Sequence, residues 1–75
     1  MKAVQIGPFA RAIYQQLPLV RKRQLNQAVW RIARGDLTGT TDWGGGVFSF
    51  FLGGDIFVVV EDREEKVSVE HIILT

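Results

Sequence analysis

The chain contains no cysteine, which excludes disulfides, thiol nucleophiles and cysteine-built zinc sites together. A domain of 75 residues therefore has no covalent staple, at a size where one hydrophobic core gives marginal stability and a partner is a natural supplement. Its one histidine, His71, is too few for a transition-metal site of its own. No metal and no cofactor is expected. Apolar runs fall well short of the ~20 residues that span a bilayer, and the N-terminus lacks the basic-then-hydrophobic pattern of a signal peptide, so the expectation is a soluble, cytoplasmic protein. The sharpest shortage is of acid in the first half. Residues 1–34 hold seven bases and no acid, a charge of +7, whereas residues 35–75 hold two bases and eight acids, −6. A basic half of this kind attracts nucleic acid or an acidic protein segment.

What is present reads as a single domain over residues 1–75. Residues 2–6, "KAVQI", suit a short strand, and Pro8 suits the first position of a helix, where its missing N–H costs nothing. Phe9, Ala12, Ile13 and Leu17 keep helical spacing up to Pro18. A second helix is predicted from about Leu19 to Arg34, with Leu25, Ala28, Val29 and Ile32 on its apolar stripe and Gly35 placed for a left-handed cap. "DLTGTTDWGGG" reads as a loop, and its three consecutive glycines lack both the Lys-Ser/Thr ending and the following helix of a phosphate-binding loop. Then "VFSFFL", "IFVVVE" and "KVSVEHIIL" are rich in β-branched and aromatic residues, with turn-like "GGD" and "DREE" between them, which predicts an antiparallel meander. The expected fold is α+β, in the order β-α-α-β-β-β, a helix hairpin packed on one face of an antiparallel sheet.

This order, with an aromatic helix start at Phe9, the Leu17-Pro18 break, the basic run Arg21-Lys22-Arg23, the Ala28 to Ile32 core segment and the Gly35-Asp36 exit, resembles the RelE/ParE-like toxins of bacterial toxin–antitoxin pairs. Gly54-Asp55-Ile56-Phe57-Val58 stands where that family has a Gly-Asp-aromatic-Arg-Val hairpin, and the last strand, "VSVEHIIL", is similar to the family's own. The resemblance covers nearly the whole chain and implies an acidic antitoxin that folds on binding. In members that cut messenger RNA on the ribosome, basic or phenolic groups on the sheet and near the C-terminus do the chemistry. Phe57 replaces the hairpin arginine here, the strands 47–52 and 56–61 carry no Lys, Arg, His or Tyr, and no base follows His71. The resemblance with those groups missing implies a toxin-like component acting by protein binding, without nuclease activity. Two alternatives remain: a ribosome-dependent endoribonuclease built on Arg63, His71 and helix arginines, and a non-toxic structural homodimer.

Each candidate has a plainer reading beside the functional one. Arg21, Lys22 and Arg23 are placed to bind an acidic partner or RNA backbone, or to form a solvated helix face. No aromatic ring interleaves with them, Tyr14 being nearest. Arg63 and His71 are the catalytic candidates, although a histidine in an alternating strand is commonly structural. Trp43 is placed either to anchor a partner or to fold onto the helices. The strands carry the strongest signal. With Ile56, Val58 and Val60 facing the helices, Phe57 and Val59 point the other way, and no segment remains to cover them. An apolar outer face predicts binding to an antitoxin and self-association of the protein alone.

Overall fold

The computed structural model describes residues 2–75 and contains β1 (Ala3–Ile6), α1 (Pro8–Gln16), α2 (Leu19–Ala33), β2 (Thr41–Gly44), β3 (Val47–Leu52), β4 (Ile56–Asp62) and β5 (Lys66–Leu74). The strands form one sheet in the order β1-β5-β4-β3-β2. Neighbours are antiparallel except β1, which runs parallel to β5. The two helices pack on one face of this sheet, so the α+β architecture of a helix hairpin on a largely antiparallel sheet follows the sequence pattern.

Local chemistry explains where the helices begin and end. Gly7 carries the chain from β1 into α1, donating its amide to the Val69 carbonyl at 2.7 Å. A Cβ there would stand 2.9 Å from that same oxygen, so only glycine permits the approach. Leu17 is extended (φ −66°, ψ 143°), as a residue before proline prefers, and α1 stops there. At the far end of α2, Gly35 takes φ +89°. Its amide donates to the Ile32 carbonyl and the Asp36 amide to that of Arg31, both at 2.9 Å, which is the paired arrangement that closes helices on a left-handed glycine.

The core is made where the two periodicities meet. Leu25, Ala28, Val29, Ile32 and Ala33 from α2, with Ala10 and Leu17, are buried against Phe48 and Phe50 of β3, Ile56, Val58 and Val60 of β4, and Val67, Val69 and Ile72 of β5. In β5 the inward residues are not spaced evenly, because the register slips between Val59 and Val60 of β4 and leaves Glu70 as an extra residue. That bulge returns Ile72 to the core and turns His71 and Ile73 outward.

One segment departs from the sequence reading. Residues 36–46 are not wholly a loop: after a turn that Thr40 closes through its amide and hydroxyl on the Leu37 carbonyl, Thr41–Gly44 joins the sheet as β2, with Thr41 opposite Ser49 and Asp42 opposite Phe48. Nothing periodic marks four residues ending in glycine as a strand. They are drawn in by the open edge of β3. Gly44, Gly45 and Gly46 all have positive φ and make a pinned turn, since Asp62 donates its amide to the Gly46 carbonyl at 2.7 Å. Among the described residues no helix is long and apolar enough to cross a membrane.

Candidate functional site

Pairing across the sheet assigns the face away from the helices. Phe51 lies opposite Phe57, which lies opposite Ile73; Ser49 and Val59 form the next row, which ends at His71 on the edge of β5 that β1 leaves open and where the imidazole meets Phe9 of α1; Val47, Glu61 and Ser68 form the third. The rings of Phe51 and Phe57 meet with centroids 4.9 Å apart, and Phe51 and Ile73 are 60% and 49% exposed. Phe57 and Val59 are half-buried, because neighbours on the adjoining strands shield them. Ser49, the neighbour of Val59 on β3, is covered by an element the sequence did not announce. Trp43, on β2, donates its indole N–H to Ser49 Oγ at 2.8 Å and lies across it, leaving Ser49 2% exposed while the indole itself is 66% exposed. Trp43 therefore folds onto the sheet's outer face and not onto the helices. The one wholly apolar row, Phe51, Phe57 and Ile73, lies toward the β3–β4 turn; the second row mixes Val59 with Ser49 and His71, and the third ends at Glu61 and Ser68.

The three residues of the basic run have different surroundings. One guanidinium nitrogen of Arg21 donates to both Asp55 carboxylate oxygens at 3.0 and 3.1 Å, and the other to Gln24 at 3.1 Å. The group packs directly on Gly53, where an added Cβ would meet it at 2.5 Å. Arg21 thus ties α2 to the β3–β4 turn and is only partly available to a partner. Lys22 places its ammonium 5.7 Å from the Tyr14 ring centre, in cation–π range, and the Tyr14 hydroxyl donates to Asn26 at 3.1 Å, stitching the two helices together. Arg23 points to solvent. Ion pairs among the described residues are Lys2–Asp62, Arg21–Asp55 and Arg63–Glu61, so Arg11, Lys22, Arg23, Arg31 and Arg34 of the helix layer have no such partner.

The catalytic candidates do not converge. Arg63, in the β4–β5 turn, is paired with Glu61 and donates to the Gly45 carbonyl at 2.8 Å. His71 lies opposite Val59 and stacks on Phe9, centroids 5.9 Å apart and planes inclined by 16°. The two side chains are held by different partners, Arg63 at the turn by Gly45 and Glu61 and His71 by Phe9 of α1, and no contact joins them. Asp36 has the one clear electrostatic bias: hydrogen bonds from Thr38, side chain first and then backbone, with help from Arg31 and Arg34, hold its carboxyl below the ordinary value of 3.8. This belongs to the exit turn of α2. Among the described residues no group of three or more histidines and carboxylates stands close enough to hold a metal ion.

Sequence reasoning missed Trp30. It lies seven residues after Arg23, hence on the same side of α2, and is exposed between Gln27, Arg31 and Arg34. The spacing was available in the sequence, but a tryptophan near the apolar stripe reads as core. Compared with known proteins, the chain matches no protein-family model and no curated protein sequence, so the geometry of these surfaces carries the functional reading.

Proposed function

We propose that the chain is a RelE/ParE-like, toxin-type module of a bacterial toxin–antitoxin pair, working in the cytoplasm through protein binding and without nuclease action. The observation that carries this reading is the outer sheet face, where Phe51, Phe57 and Ile73 form one continuous row across three strands with Trp43 beside it. Contiguous apolar surface of this kind commonly marks a binding face, and covering it gains about 25 cal/mol per Å². The order of elements supports the same reading. The partner proposed is an acidic antitoxin segment that folds on binding, its apolar residues on this face and its carboxylates reaching Lys22 and Arg23 at the helix layer. Without that partner the protein associates with itself through the same face. The separation of Arg63 from His71, and the engagement of Arg63 by Glu61, support binding over catalysis.

The test is co-expression with the short acidic protein encoded in the adjacent reading frame. A complex that co-purifies with the chain and is lost with Phe51→Glu supports the proposal. An acidic neighbour that stays apart, or a complex indifferent to Phe51→Glu, contradicts it. The absence of any such neighbouring frame would favour the plain homodimer.

A further inference from the structure

The solvent side of α2 carries a second surface, remote from the sheet's outer face. Arg23, Gln27, Trp30 and Arg34 follow one another at intervals of four, three and four residues, so they form one stripe opposite the buried Leu25, Val29 and Ile32. Arg31 flanks it. Trp30 is 38% exposed, and with Gln27, Arg31 and Arg34 it lines a shallow basin of about 370 Å³. None of Arg23, Arg31 and Arg34 is in an ion pair among the described residues; the helix itself carries no acid, and Glu64 and Glu65 border a hollow with Arg34 at its C-terminal end. The Asp36 carboxylate, near Arg31 and Arg34, is turned to the Thr38 amide at 3.1 Å. The stripe runs about 16 Å along the helix axis, a track for a few nucleotides.

We infer that this face binds a single-stranded polynucleotide, with Trp30 stacking on a base, Arg23, Arg31 and Arg34 contacting flanking phosphates, and Gln27 hydrogen bonding to a base edge or sugar. Two features choose this occupant. Unpaired cations call for a polyanion, and an exposed indole among them calls for a flat apolar partner, which a base supplies and a carboxylate does not. A duplex keeps its bases stacked and out of reach of Trp30, so the strand must be single. An acidic peptide would satisfy the arginines but needs a separate apolar side chain for the indole, whereas a nucleotide strand supplies the charge and the flat ring together at every step. Nothing in this inference uses the outer sheet face; Arg23 is the one residue the stripe shares with the proposed antitoxin contact, and Gln27, Trp30, Arg31 and Arg34 lie outside it, so variants at these four test the stripe separately.

The test is fluorescence anisotropy of a labelled ten-residue oligouridine titrated with the full chain, with salt varied. The expected slope of log affinity against log salt is about −2, from three phosphate contacts at about 0.7 each. Trp30→Ala should weaken binding about tenfold, whereas Trp30→Phe should retain most of it, since the ring still stacks. Arg31→Gln with Arg34→Gln should flatten the slope by about 1.4, a readout independent of whether Trp30→Ala folds. Four results would overturn the inference: no binding at low salt, Trp30→Ala binding as well as the wild type, a duplex of the same length binding equally, or an oligoglutamate displacing the RNA at equal concentration. The last would assign the stripe to an acidic protein.

Discussion

Gly7 and Gly35 show how one residue type serves two unrelated physical needs. Gly35 has φ +89° and open space around its missing side chain, so Gly35→Ala should cost about 1 kcal/mol through backbone strain alone. Gly7 has an ordinary φ of −68° but no room beside the Val69 carbonyl. Gly7→Ala should cost about 1 to 3 kcal/mol by forcing β1 from β5, and urea denaturation of both variants measures the difference. The first glycine is legible in sequence, because it follows the last residue of a periodic helix. The second is not, because its neighbour is 62 positions away in the chain. Asp36 adds a dependence on pH. Its carboxyl is held below 3.8 by Thr38, so the folded state favours the ionised form, and the stabilisation present above that ordinary value is lost as pH falls through the lowered one. Asp36→Asn should flatten the acid limb of a stability profile, lowering stability slightly at neutral pH, where the increment is present, and leaving it unchanged below the lowered value; the effect is small because the group is fully exposed.

At the scale of elements, what sequence makes plain is what has a period. Leu25, Val29 and Ile32 recur at helical spacing and are buried, and "IFVVVE" alternates inward and outward along β4 even though both sets are apolar. Val29→Ala or Ile32→Ala should therefore lower stability by about 1 to 4 kcal/mol, through lost transfer energy plus a cavity, with a matching fall in denaturant midpoint. The strand β2 and the bulge at Glu70 have no period, since each is defined by a partner strand. β2 is held to β3 by its backbone pairing and by the bond from Trp43 to Ser49. Ser49→Ala should cost about 0.5 to 1.5 kcal/mol and raise amide exchange in residues 41–44 before it affects β4 and β5. Exchange that rises uniformly would show that β2 unfolds only with the whole sheet. The site followed the same rule. Phe57 and Val59 on the outer face were legible from strand alternation, whereas the roof made by Trp43 and the clamp from Arg21 to Asp55 required the turns to be placed in space.

For the whole molecule, the asymmetry of charge becomes an asymmetry of layers. Most of the bases of the first half stand on the helices, and most of the acids of the second half lie at the turns and edges of the sheet. Against these charged regions stands the apolar row of Phe51, Phe57 and Ile73 on the outer sheet face, and this contrast underlies the proposal that the protein works by being bound. The structure also identifies the better probe of that face. Phe57 is half-buried beneath its neighbours, while Phe51 is mostly exposed and contacts it at 4.9 Å between ring centres, so a charge at Phe51 tests the surface with less damage beneath it. The most direct measurement is analytical sedimentation of the isolated wild type and of Phe51→Glu over a range of concentration, with far-ultraviolet dichroism on the same samples. The account predicts a wild type that sediments as a dimer or larger species and a Phe51→Glu variant that is monomeric with its helices retained. A wild type that stays monomeric at high concentration, or a folded variant that associates as strongly as the wild type, would contradict it.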